Sequence, residues 1–318
     1  MFTKFGRGYP VRSHQSFIKF ARGFDRIVAS TIFAAPLIRD AQIANVPSVW
    51  WIHEGLVGDH FLKKYPRLGN IFEMADIIAT PNEESRRIYQ PFTSRRILPW
   101  PYGIPDVPVA MSAIQSERKR VRFLLLGTVE PRKGQQTFVR AVRQLPRDVR
   151  ERSEFLIVGR PHDAHLAEEV RAAAKSVSHL HYKGSIPHAN AMELIRGADV
   201  MVCTSCDETG PLTLIEGMAL GKPILSTPVG LVAEKLVAGT EGLFVKSGDV
   251  EELLAAIVRL VREPELRRRL AINSRRAYEK HFTLDRFAKD FVALIDKADL
   301  AETGNVGADV MADALSSR

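Results

Sequence analysis

A chain of 318 residues with 45% hydrophobic content is long enough for two domains and apolar enough to pack both cores, which excludes a disordered chain. Its 45 Lys and Arg against 37 Asp and Glu give a formal charge of +8, which points to an anionic partner: a nucleotide sugar, an acidic membrane surface or nucleic acid. No zinc-finger, aromatic nucleic-acid-binding or basic-helix motif appears, so nucleic acid is not expected, and the longest apolar stretch, 27–38, is too short to span a bilayer and is interrupted by Ser30, Thr31 and Pro36.

In chain order, the pattern predicts a capped amphipathic helix over 13–24, with Phe17, Phe20, Ala21 and Phe24 on its apolar side. Lys4, Arg7, Arg12 and Lys19 lie among aromatic and polar residues, without the continuous apolar core of a signal peptide. The cytoplasm is the expected compartment. A solvated helix face is the plainer account of this basic segment, and peripheral contact with anionic lipid at the inner face of the membrane is the alternative. A strand over 26–30, a helix over 34–44, a strand over 48–52, a helical stretch to 75, a strand over 77–80, a helix over 82–90 and a strand over 96–100 follow. That alternation is the signature of a parallel sheet flanked by helices.

A proline-rich, then polar, stretch to Arg120 reads as an interdomain linker. A second alternation has strands over 122–126, 155–158, 179–182, 200–203, 224–226 and 243–245, and forms a complete nucleotide-binding type α/β domain. Helices over 274–280 and 284–300 break near His281, Phe282 and Thr283, and 301–318 reads as a frayed tail. The expected organisation is a partial first domain with linker over 1–118, a second domain over 119–282, a last helix over 283–300 and a tail over 301–318.

Two loops of the second domain carry candidate chemistry. After the strand over 122–126, Gly127, Arg132, Lys133 and Gly134 bring two cations and two glycines to a strand's carboxyl end, which suits a diphosphate. After the strand over 200–203, a polar loop holds Glu208, and Gly210-Pro211 opens a helix that stops at Gly221 with Pro223 beyond. Leu212, Leu214, Ile215, Met218 and Ala219 fill one arc of that helix, while Thr213, Glu216 and Gly217 fall on the other, so a carboxylate is expected beside a gap. The unpaired amides of Leu212 and Thr213 beyond Gly210 can receive an anion. A ligand with phosphate there would meet Glu208 at one end and Glu216 at the other.

Glu208, then Glu216-Gly217-Met218-Ala219, Gly221-Lys222-Pro223-Ile224, and Gly230 with Glu234 together resemble the retaining family 4 glycosyltransferases, which have the GT-B fold of two Rossmann-like α/β domains. The resemblance covers about 13–300 and is strongest over 122–234. It implies that Glu208 is near the donor sugar and that Glu216 holds the nucleotide ribose hydroxyls. His53, at the end of the strand over 48–52, matches a histidine facing the cleft near the donor, and Ser185-Ile186 matches the loop near the nucleobase. The last helix is implied to cross back to the N-terminal domain. Donor phosphates would fall to Arg132, Lys133, Gly210, Leu212 and Thr213; the family has an arginine directly after the first glycine of the loop, where this chain has Thr128.

No Asp-x-Asp element ends a strand, so neither metal nor other cofactor is expected, and Asp163 between His162 and His165 reads as a helix cap. Cys203 and Cys206 read as a reduced structural pair. Family members begin with a strand and a glycine-rich loop that Gly6-Arg7-Gly8 replaces poorly, so the first domain is expected to be incomplete, with an apolar edge at 26–30. A fragment, a mis-started frame or completion by a partner chain would account for it. The functional expectation is a retaining, metal-independent hexosyltransferase from a UDP- or GDP-sugar to a glycan or lipid-linked acceptor. The rival is a non-catalytic nucleotide-sugar-binding or interaction protein.

Overall fold

The structure, a computed structural model, describes residues 13–107 and 119–302, with 297–302 described by backbone alone. Lys4, Arg7, Arg12, Gly6-Arg7-Gly8, much of the linker and the tail beyond 302 lie outside the described residues. The chain divides into two compact units, Met1–Trp100 with Phe287–Arg318, and Pro101–Arg286.

The first unit contains α1 (His14–Ala21), β1 (Ile27–Ser30), α2 (Ala35–Ala44), β2 (Ser48–Trp51), α3 (Leu56–Lys64), β3 (Ile77–Thr80), α4 (Glu83–Tyr89) and β4 (Leu98–Pro99). Its strands are parallel in the order β1-β2-β3-β4, with Ala29 opposite Trp50 and Trp50 opposite Ile78. Ser13 caps α1 through a reciprocal pair with Ser16. Three elements depart most from their sequence pattern. α1 stops at Ala21, just before Gly23. The helical stretch to 75 divides at Pro66 into α3 and a 3-10 segment, because proline offers no N–H to continue the ladder. β4 is confined to Leu98–Pro99, where Pro99 again removes a donor.

The second unit contains β5 (Val121–Leu126), α5 (Gln135–Arg143), α6 (Arg147–Glu151), β6 (Ser153–Val158), α7 (Ala164–Ser176), β7 (Leu180–Lys183), α8 (His188–Gly197), β8 (Val200–Cys203), α9 (Leu212–Ala219), β9 (Ile224–Ser226), α10 (Gly230–Lys235), β10 (Leu243–Phe244), α11 (Val250–Arg262) and α12 (Pro264–His281). Its six parallel strands run β10-β9-β8-β5-β6-β7. The order reverses between β5 and β8, the switch point at which a doubly wound sheet opens a crevice beyond its strand ends. Alternation explains the layering. Phe123, Leu125, Phe155, Ile157, Val200 and Val202 enter one core cluster, while Leu124, Leu156, Val158, Met201 and Cys203 enter the other. Each strand thus feeds both faces.

α13 (Leu284–Glu302) supplies the other covered face of the first sheet. Trp50 and Ile78 point into one cluster with Phe72 and Tyr89, whereas Val49, Ile77 and Ala79 share a second cluster with Trp100 and Leu294, against which Phe287 and Phe291 pack. The Trp100 ring stacks on Phe287 and Phe291, with centroids 4.7 and 4.8 Å away, and its Nε1 donates to the Phe287 carbonyl. The architecture is α/β with two Rossmann-like units, as the sequence predicts. Among the described residues β1 is an edge strand, and its Val28 is 47% exposed.

Candidate functional site

Of the candidate residues of the second unit, Arg132, Lys133 and Glu208 meet where β5 and β8 end. Gly134 takes φ +67° between the cationic loop and α5, and a Cβ there would stand 2.1 Å from the Thr204 carbonyl oxygen. Only glycine lets these two loops close on each other. They are then tied by main-chain and side-chain bonds: Cys206 N–H donates to the Arg132 carbonyl at 2.9 Å, and Thr204 Oγ1 to the Lys133 carbonyl at 2.8 Å.

This closure places Lys133 Nζ in a direct ion pair with Glu208 Oε1, which also accepts from Ser205 Oγ at 2.8 Å. Arg132 reaches Glu208 Oε2 at 3.4 Å, Glu130 Oε1 at 2.8 Å and the Asp207 carbonyl at 2.7 Å. Burial opposes the guanidinium's charge, but Glu208, Glu130 and Asp207 outweigh it and hold the Arg132 pKa above its ordinary value. Two cations therefore converge on one carboxylate in a half-buried setting, where charges are screened less than at the open surface.

α9 begins beside them. Pro211 is its N-cap without a side-chain cap, and the Pro211 carbonyl accepts from Leu214 N–H at 2.9 Å. Leu212 and Thr213 are the first two residues of α9, whose leading N–H groups have no acceptor within the helix. Leu212 is 46% exposed and Thr213 half-buried. Gly210 lies against the Tyr102 ring, which would stand 2.6 Å from an added Cβ, and Tyr102 Oη shares a hydrogen bond of 3.1 Å with Thr209 Oγ1. Gly230, at φ +51°, closes the opposite side against the Glu208 carbonyl.

Glu216 extends from the first turns of α9 with its side chain 16% exposed, and its Oε1 meets His188 Nε2 at 2.7 Å. His188, the first residue of α8, escapes sequence reading; its one signal is its place two residues after Ile186. Ser185 is exposed and Ile186 half-buried in the turn between β7 and α8. The gap expected beside Glu216 is not there. Gly217 is buried, and a Cβ on it would stand 2.5 Å from Met201 Cγ. The missing side chain lets α9 pack closely on β8, so this glycine belongs to the core.

His53 belongs to the first unit, where its Nδ1 lies 3.3 Å from Ser30 Oγ and its Nε2 3.6 Å from Glu54 Oε1. Glu54 holds a strained turn. Thr31, a β-branched residue, sits at φ +80°, and the Glu54 carboxylate accepts from its hydroxyl and from Ile32 N–H at 2.9 Å. Asp163 caps α7 by accepting from Leu166 N–H at 2.9 Å, and among the described residues no group of three or more His, Cys, Asp and Glu is arranged to hold a metal. Cys203 and Cys206 are both free thiols, and burial raises the pKa of Cys203. No helix among the described residues is long and apolar enough to cross a membrane.

A family model described as "Glycosyl transferases group 1" matches residues 109–277, which contain every candidate of the second unit. The chain is 25% identical to the MMP alpha-(1->4)-mannosyltransferase of Mycolicibacterium hassiacum, over 83% of this chain and 64% of that protein. It is 31% identical to the phosphatidyl-myo-inositol mannosyltransferase of Mycobacterium leprae, over 44% of this chain and 37% of that protein. The chain thus spans less than two thirds of the length of these curated relatives. Anabaena HepE, solved in complex with UDP-glucose, superposes with a TM-score of 0.76 at 17% identity, covering 89% of this chain and 82% of that one. This likeness shows the fold, the GT-B pair of Rossmann-like units.

Proposed function

Because the chain belongs to the group 1 glycosyl transferases, we propose that it transfers a hexose, with retention and without a metal, from a UDP- or GDP-sugar to a glycan or lipid-linked acceptor. One observation carries the reading: Lys133 and Arg132 meet Glu208 at the ends of β5 and β8, beside the mouth of α9. The donor diphosphate competes with Glu208 for the two cations and takes the Leu212 and Thr213 amides. Glu208 then turns to the sugar hydroxyls, and Glu216, positioned by His188, receives the ribose hydroxyls. Ser185 and Ile186 offer main-chain contacts to the base.

In the transfer, the bond from the anomeric carbon to the phosphate oxygen breaks and the bond to the acceptor oxygen forms. The acceptor proton moves to the departing phosphate on the same face. Charge grows on the leaving diphosphate, and fixed cations and helix amides stabilise it without reorganising. The matched relatives bear transferase names, which favours transfer over the binding-only reading. One relative is named a phosphatidyl-myo-inositol mannosyltransferase, which supports a lipid-linked acceptor and a peripheral membrane setting.

The test is nucleotide release from a panel of UDP- and GDP-sugars in EDTA, with Glu216→Ala as control. Release that requires Glu216 and survives chelation is the expected result. Saturable donor binding with no release, even with acceptor extracts, would replace the proposal with the binding-only reading.

A further inference from the structure

At the opposite end of the same sheet, a second cationic pocket of about 450 Å³ opens where β5, β6 and β7 begin. Its lining includes Arg120 before β5, Arg143 at the end of α5, and Arg147 and Arg150 on α6. Glu151 is the one carboxylate in the lining, and it is engaged by Arg147 at 2.8 Å. No ion pair among the described residues holds Arg120, Arg143 or Arg150. Three uncompensated guanidinium groups thus face one cavity, an arrangement whose mutual repulsion an anion relieves.

The inner wall supplies a second, independent observation. His179 is 8% exposed, donates from one ring nitrogen to the Val142 carbonyl, and packs edge-on to Phe155 at 5.8 Å. Its other nitrogen, Nε2, is buried with no hydrogen-bond partner among the described residues. Because the other ring nitrogen carries the proton, Nε2 is an acceptor, to be completed by a hydroxyl of the bound ester or by water and not by its phosphate oxygens. Burial, and then Arg150, His181 and Arg120, push the His179 pKa down, so the wall adds no stable charge of its own and leaves the arginines to attract the anion.

We propose that this pocket binds a phosphate monoester at a site separate from the donor site. Guanidinium forks match phosphate oxygens in pairs, which a set of lysines would not do. The cavity has room for an organic group beyond the phosphate. β5 spans six residues between the two ends, which sets this pocket about 20 Å from the cationic loop. The headgroup of an anionic lipid and a soluble sugar or polyol phosphate share this chemistry.

Tripolyphosphate is the probe, titrated calorimetrically into the full chain, into Lys133→Ala and into Arg143→Gln/Arg150→Gln. Binding that persists in Lys133→Ala and weakens at least tenfold in the double variant is the expected result. Equal affinity in the wild type and the double variant, or binding lost in Lys133→Ala alone, overturns the proposal. Arg143→Lys/Arg150→Lys keeps the charge while removing the forks; it should bind with intermediate affinity, and it serves as the test should the glutamine variant fail to fold. Co-sedimentation with phosphatidylinositol-4-phosphate vesicles separates the sources. Arginine-dependent sedimentation assigns the lipid headgroup, and tripolyphosphate binding without sedimentation assigns a soluble ester.

Discussion

The two sheets are built from the same parallel alternation, yet they differ in order. In the first unit strand order follows chain order, β1 to β4, so no switch point arises among the described residues. In the second, the chain starts in the middle with β5, winds to β7, and returns through β8 to β10. The helices after β5 and β8, α5 and α9, pack on opposite faces of the sheet, so the loops that lead to them meet over the strand ends. Candidate chemistry follows that difference: Lys133, Arg132 and Glu208 converge in the second unit, while in the first Glu54 is consumed in holding Thr31. Similar composition yields a site in one sheet and a brace in the other because topology decides which loops face each other.

The largest effect should come from the crevice. Lys133→Ala is expected to lower kcat/KM for donor turnover by about 10²–10³-fold, the usual loss on removing one charge-stabilising donor; nucleotide release measures it. Unchanged turnover would move the donor away from the ends of β5 and β8. In the first unit, Glu54→Ala should cost about 2–3 kcal/mol in urea unfolding, since Ile32 N–H and the Thr31 hydroxyl lose their acceptor. Loss of turnover with stability intact would instead place Glu54 in the chemistry and erase the contrast.

Smaller effects sharpen it. Gly134→Ala forces a side chain into positive φ and onto the Thr204 carbonyl, and should cost about 1–3 kcal/mol while raising the KM for donor. Tyr278→Phe removes a bond of 3.1 Å to the Ile104 carbonyl and should cost about 1 kcal/mol at neutral pH. Burial, then the negative charge of Asp106, raises the Tyr278 pKa from 10.0 to about 12. A raised pKa favours the protonated folded form, so this contribution is complete below pH 10 and is lost as pH rises through 12. Phenolate absorbance during alkaline titration should show one late-titrating tyrosine that vanishes in Tyr278→Phe.

Periodicity made the strands of both units legible because burial on both faces demands runs of apolar residues. The ends were less so: Pro99 cut β4 short and Pro66 divided the helix before β3, local effects that override the apolar pattern. Each loop of the candidate site was visible by itself. Their meeting was not, since Lys133 and Glu208 are 75 positions apart and a pattern search sees neighbours only. His188 was missed for the same reason, with 28 positions between it and Glu216. For Gly217, helical phase assigns a face but not the distance to the strand beneath it, which Met201 sets.

The stacking of Trp100 on Phe287 and Phe291 ties together the two ends of an insertion. All of the second unit lies between those rings in the chain. At about 5–20 residues per second, a ribosome needs roughly 10–40 s to cover the 187 positions from one ring to the other. Throughout that interval Val49, Ile77 and Ala79 have been synthesised but lack Phe287, Phe291 and Leu294, whereas the inserted unit has its full set of strands once Phe244 is made. The order of maturation is therefore inverted: the unit begun first is finished last, and its half-built sheet is the part of the nascent chain most in need of a chaperone.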